Sequence, residues 1–198
     1  MPPGGIMRIN DIRAGTGRIL VPPLVILLLL LAPAAACGQE IELRLGTTGT
    51  SIRADVLFRW EKESELIEFV RGGLGSRVEF LFRIQEKRPS PLPFLREALV
   101  SETSLERSAS FDIFSGKYSV SSEREGKAFY ETADDFLQDF FSVRDCAVFN
   151  GLHPGTAYAV DVQVRLTPIR LVPPLNIISL FGDMAAFTSP WVRQEVAP

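Results

Sequence analysis

Apolar and polar residues alternate strictly along three stretches of this 198-residue chain, the pattern of strands with one face on a core. Ile52, Ala54, Val56, Phe58 and Trp60 fall on one side, with Arg53, Asp55 and Arg59 on the other. Val78, Phe80, Phe82 and Ile84 oppose Arg77, Glu79, Arg83 and Gln85. Tyr158, Val160, Val162 and Val164 oppose Asp161, Gln163 and Arg165. Less regular strands are predicted over 41–45, 99–111, 117–120, 147–149 and 184–192. Half-buried strands of this kind pair antiparallel. Gly46-Thr47-Thr48-Gly49-Thr50-Ser51 lies between two such patterns with no lysine after it, so it reads as a hairpin turn rather than a phosphate-binding loop.

The period lengthens in two places. After Thr132, whose hydroxyl can cap a first turn carrying Asp134 and Asp135, the residues Phe136, Leu137, Phe140 and Phe141 form a helical apolar stripe. Around 64–70, Leu66, Ile67 and Val70 form a second, which Gly72-Gly73 stops. The run from Leu152 through Pro154, Gly155 and Tyr158 to Val162 resembles the turn into a late strand of fibronectin type III, where the tyrosine makes a structural corner. The pattern therefore predicts an all-β, antiparallel two-sheet sandwich of the immunoglobulin/fibronectin-like kind with two short covering helices. Residues 38–198 form one domain, long enough for a real core and too short for two.

The first 36 residues have a different character. Arg8, Arg13 and Arg18 precede the apolar run 19–31, and Ala34-Ala35-Ala36 stands before Cys37. Basic, apolar and small-residue segments in that order form an export signal. The apolar run is only just long enough to remain as an uncleaved anchor, and Pro22-Pro23 disturbs its first turn. Ala34 to Cys37 also resembles a bacterial lipoprotein box, with Ala34 where the pattern usually has a large aliphatic residue. Cys37 is then either lipidated, leaving Cys146 a single thiol, or retained and able to pair with Cys146 in an oxidising compartment. The predicted address is the periplasm, or a membrane tether on the extracytoplasmic side of a bacterium.

Without residues 1–36 the chain keeps 18 of its 21 basic and 23 of its 24 acidic residues, a net charge of −5. That balance argues against a nucleic-acid surface, which needs clustered positive charge. His153 is the only histidine, so a two-histidine metal site is impossible, and its place between Leu152 and Pro154 suits an exposed turn better than a catalytic base. Glu131, Asp134, Asp135 and Asp139 flank an apolar stripe instead of alternating around a glycine, so they read as a solvated helix face and not a calcium loop. The same holds for Glu61, Glu63, Glu65 and Glu68. Gly72-Gly73-Leu74-Gly75 lacks the strand-then-helix order of a nucleotide site. No catalytic residue, metal or cofactor is predicted.

Phenylalanine dominates the aromatics, with 14 Phe against 2 Trp and 3 Tyr, and most occupy core positions of the pattern. The segment with Leu171, Val172, Leu175, Ile177, Ile178, Leu180 and Phe181 has neither period and little polarity. It reads either as a cover for one end of the sandwich or as an apolar groove for a partner or lipid chain.

Residues 110–120, Phe129, the Thr132 helix, the run 154–158 into Val164-Arg165-Leu166, and Trp191 together resemble a bacterial exported family labelled domain of unknown function 4390. Phe111 stands where that family commonly has tyrosine. The resemblance covers most of residues 40–195 and implies a periplasmic or membrane-tethered domain without assigned catalytic residues. It also implies genes placed beside a membrane sensor kinase and its response regulator. The expectation is a non-enzymatic interaction module of the cell envelope with a protein partner, a sensor kinase being the class of partner that the resemblance implies. The alternative is a periplasmic binder of an apolar small molecule or lipid.

Overall fold

The computed structural model describes residues 39–92, 96–169 and 186–196, so Cys37, the export segment and the apolar groove residues Leu171 to Phe181 lie outside the described residues. Two antiparallel sheets carry the chain. One comprises β1 (Gln39–Thr48), β2 (Ser51–Trp60) and β7 (Ser142–Asn150) in the order β1-β2-β7. The other runs β10-β8-β3-β4-β5-β6, from β10 (Val192–Val196) through β8 (Tyr158–Ile169), β3 (Gly75–Lys87), β4 (Glu97–Asp112) and β5 (Lys117–Ser122) to β6 (Gly126–Tyr130). The two-residue β9 (Phe187–Thr188) also pairs with β8. Setting β1, β2, β3, β7, β8 and β10 as strands A, B, C, E, F and G gives the orders of immunoglobulin-type sandwiches, with β4 and β5 added beside C as in variable domains.

The three alternating stretches supply the core. Ile52 to Trp60 of β2, Val78 to Ile84 of β3 and Val160 to Leu166 of β8 bury every inward side chain of the pattern. At about 1.5–3 kcal/mol for each large apolar side chain buried, these faces dominate the folding free energy. The hairpin between β1 and β2 closes on Gly49, whose φ of 60° is one that a two-residue loop needs and that glycine adopts without strain. Tyr158 opens β8, and its hydroxyl accepts a hydrogen bond from the His153 backbone N–H at 3.2 Å while the ring is buried. Gly155, at φ +76°, allows that corner.

Helix α1 (Glu63–Arg71) places Leu66 and Val70 in the core. It ends where predicted, with Gly73 N–H bonded to Val70 O and Leu74 N–H to Phe69 O, while Gly73 takes φ 81°. This paired bonding satisfies carbonyls that the last helical turn leaves orphaned. Helix α2 (Ala133–Phe140) begins at Thr132, whose hydroxyl accepts from the Asp135 N–H at 3.2 Å.

Three predicted boundaries differ from those observed. The strand predicted over 184–192 is broken at Ser189-Pro190 into β9 and β10, because the Ser189 hydroxyl takes the Val164 N–H that a continuous ladder would use. β7 extends well beyond 147–149 and contains two register shifts, so Val143 and Val148 are both buried although they stand five positions apart, which in a regular strand would put them on opposite faces. At the first shift Asp145 holds φ 47°, fixed by its N–H to Asp55 Oδ1 (2.6 Å) and by Arg53 donating to its carboxylate and carbonyl. β6 has no counterpart among the predicted strands.

Candidate functional site

Among the described residues the large sheet has more strands than the small one, so the end formed by β4, β5 and β6 has no described strand opposite it. Helix α2 covers that overhang through Phe136, Leu137 and Phe140. A run of touching rings then links the overhang to the main core: Phe111, Tyr118, Phe136, Phe140, Phe141, Phe58, Phe187 and Trp60, at centroid separations of 4.8–6.3 Å. Each such pair adds about 0.5–1.5 kcal/mol beyond the area it buries.

Arg107 on β4 is the unexpected member of this region. It points inward in phase with Leu105 and Ala109, and its side chain is only 4% exposed. Its Nη1 donates to the backbone carbonyl of Asp139 and, at 3.1 Å, to Asp139 Oδ1, and its Nη2 donates to Glu125. Helix α2 has two acids in its first turn and no base in its last. Arg107 therefore supplies, from a neighbouring strand, the cation that the negative end of the helix dipole favours.

An open cleft of about 610 Å³ lies over Arg107, walled by Phe129, Tyr130 and Glu131 on one side and by Gln138, Ser142 and Arg144 on another. Burial and the neighbouring Asp139 carboxylate push the Tyr130 hydroxyl up to about 12, so it stays a neutral donor. Nearby, burial raises the Cys146 thiol while Arg124, donating to its sulfur at 3.3 Å, opposes that shift. Cys146 forms no disulfide among the described residues.

The overhang also carries exposed apolar surface. Between β4 and β5, Ile113 is 69% exposed and Phe114 fully so, and Phe129 on β6 is 56% exposed. The tip is not slack. Asp112 accepts from the Phe114 N–H at 2.9 Å and the Ser115 hydroxyl at 2.7 Å, and its carbonyl accepts from the Gly116 N–H at 2.8 Å. Those bonds hold the Asp112 carboxyl below its ordinary range, the Ser115 hydroxyl contributing most. The turn thus fixes the backbone at Phe114, whose side chain stands in solvent. By contrast, the outer face of the large sheet satisfies its own charges. Arg193 bridges Asp161, Glu97 and Gln85, and Arg77 pairs Glu106 at 2.9 Å.

The structure gathers few of the residues singled out from sequence. Pro154, Gly155 and Tyr158 form the corner, with His153 exposed on its turn. Asp134 and Asp135 sit in the first turn of α2, and Glu65 pairs with Lys62 at 3.3 Å on the solvent side of α1. Among the described residues no group of three or more His, Cys, Asp or Glu is placed to hold a metal ion. Arg107 went unsingled, although a charge in phase with Leu105, Ala109 and Phe111 was the signal that could have found it.

Residues 39–195 match the sequence profile of one family. No curated protein and no solved structure matches the chain. With most of its length inside that match, the chain belongs to the family described as domain of unknown function, DUF4390.

Proposed function

We propose that this protein is an exported, non-enzymatic interaction module of the bacterial cell envelope that binds a protein partner through the overhanging end of its large sheet. The observation that carries this reading is the hydrogen-bonded tip that holds Phe114, beside Ile113, wholly in solvent. A large apolar side chain kept exposed by a built turn contributes nothing to folding and fits a partner's pocket. Export rests on the basic, apolar and small-residue order of residues 8–37. A membrane sensor kinase is the class of partner that the family resemblance implies, with this domain as its accessory.

The test is in-cell crosslinking at native expression, followed by purification and mass spectrometry that also reads the N-terminal peptide. The reading predicts one dominant envelope protein, lost when Ile113 and Phe114 are both changed to serine, and a mature chain that is cleaved or lipidated near Cys37. A partner retained by the double variant would overturn the assignment of the surface. An intact cytoplasmic N-terminus would overturn the address.

A further inference from the structure

We infer that a second copy of this chain pairs with the outer edge of β6, antiparallel and centred on Phe129, making one continuous sheet across a twofold axis. β6 ends the large sheet, and among the described residues no strand pairs with its outer edge. Its side chains from Gly126 to Phe129 are exposed and Tyr130 is half-buried. An edge of unpaired N–H and C=O groups is a template for another strand, and the sequence of the edge decides which strand fits.

The sequence Lys127-Ala128-Phe129-Tyr130, the last four residues of β6, together with Glu131 in the bend that follows it, is complementary to itself when reversed. With Phe129 opposite Phe129 of the other copy, Lys127 falls opposite Glu131 and Ala128 opposite Tyr130, each pairing occurring twice. On one face this gives two opposite-charge pairs around an aromatic pair. On the other it sets a small side chain against a large one, so neither clash nor gap results. Shifting the centre to Ala128 loses both charge pairs, because Lys127 then meets Phe129. Glu131 is bonded within its own chain to Lys117 at 3.0 Å, with Glu131 80% exposed. Such an exposed pair holds its partners only weakly, so the Glu131 carboxylate remains able to meet a second ammonium.

A pairing along the end of β6 and its following bend buries less than the roughly 1,000 Å² expected of a stable interface, so the dimer is a weak one that needs trapping. This inference is independent of the partner reading, which concerns Ile113 and Phe114.

The test is cysteine crosslinking of the full-length chain in cells, in a Cys146→Ser background under mild oxidant, read against the same background without an added cysteine, which reports any disulfide through Cys37. Directly opposed residues have Cα atoms about 4.5–5.5 Å apart, within reach of a disulfide. Phe129→Cys is expected to give a homodimeric disulfide. Lys127→Cys alone is expected to give none, but to crosslink to a co-expressed Glu131→Cys chain. Lys127→Glu should lower the Phe129→Cys dimer several-fold, and adding Glu131→Lys should restore it. No homodimer from Phe129→Cys, equal dimer from Lys127→Cys, or an adduct only to a different protein would each overturn the proposal. So would intramolecular coverage of the edge by residues 170–185, seen as a chain contact from position 129 within one copy.

Discussion

Neutralising the two acids around Arg107 is expected to cost more stability than removing Arg107 itself. The Arg107 side chain is 4% exposed, whereas Glu125 and Asp139 are 52% and 32% exposed. In Arg107→Met the two carboxylates turn to water, and the methionine refills most of the stem's volume. What is lost is the bond to the Asp139 carbonyl and the cation at the end of α2, about 1 kcal/mol in all. In the double variant Glu125→Gln, Asp139→Asn the guanidinium stays in place with only neutral acceptors. Its Nε already lacks a partner among the described residues. Stranding a buried charge costs about 3–5 kcal/mol when the pair is fully buried, and the exposure of both acids reduces this to about 2 kcal/mol. The gap of about 1 kcal/mol is a difference of about 0.5 M in urea midpoint at an m-value of about 2 kcal/mol/M. Urea titration of the three purified proteins by near-ultraviolet circular dichroism reads it. If the double variant matches wild type, or unfolds later than Arg107→Met, the guanidinium is hydrated and does not pin α2 to β4.

Three further outcomes are expected. Tyr158→Phe removes the acceptor of the His153 N–H and should destabilise the protein by about 1 kcal/mol in the same titration, and an unchanged midpoint would show that the corner is held by packing alone. The Tyr130 hydroxyl is raised above its ordinary value of 10 to about 12, so its contribution to stability is complete below pH 10 and is lost as pH rises towards 12. Absorbance titration at about 295 nm should show a component near pH 12 that Tyr130→Phe lacks, and a tyrosine component near pH 10 that vanishes instead would contradict it. Because burial raises the Cys146 thiol, alkylation at pH 8.5, followed on the Cys146 peptide by mass spectrometry, should run several-fold slower in the folded chain than in urea. Equal rates would place the thiol in water.

The sheets were legible where one face is apolar and the other is not. β2, β3 and β8 alternate without interruption because each separates core from solvent along its length. Thr132 and the Gly72-Gly73 pair were legible because caps are local chemistry, settled within a few residues. β6 was not, because its residues from Gly126 to Phe129 are exposed on both faces and only Tyr130 is half-buried, which leaves no period. β7 was legible only at 147–149 because its register shifts break the phase, a feature set by Asp55 and Arg53 from a strand about 90 residues away. The overhang depends on how many strands each sheet recruits, which no local pattern encodes. The exposed Phe114 was therefore indistinguishable from a core phenylalanine, and Arg107 from a surface cation, until β4 and α2 were placed together.

The measurement that bears most directly on the central claim is site-specific photo-crosslinking in cells that make the chain at its native level. One reactive side chain replaces Phe114 on the overhang, and another replaces Arg44, which is 81% exposed on the small sheet. A single dominant protein adduct from position 114 and none from position 44 is the result expected of a partner bound at the end of the large sheet. Equal adducts from both positions, or none from 114, would contradict it.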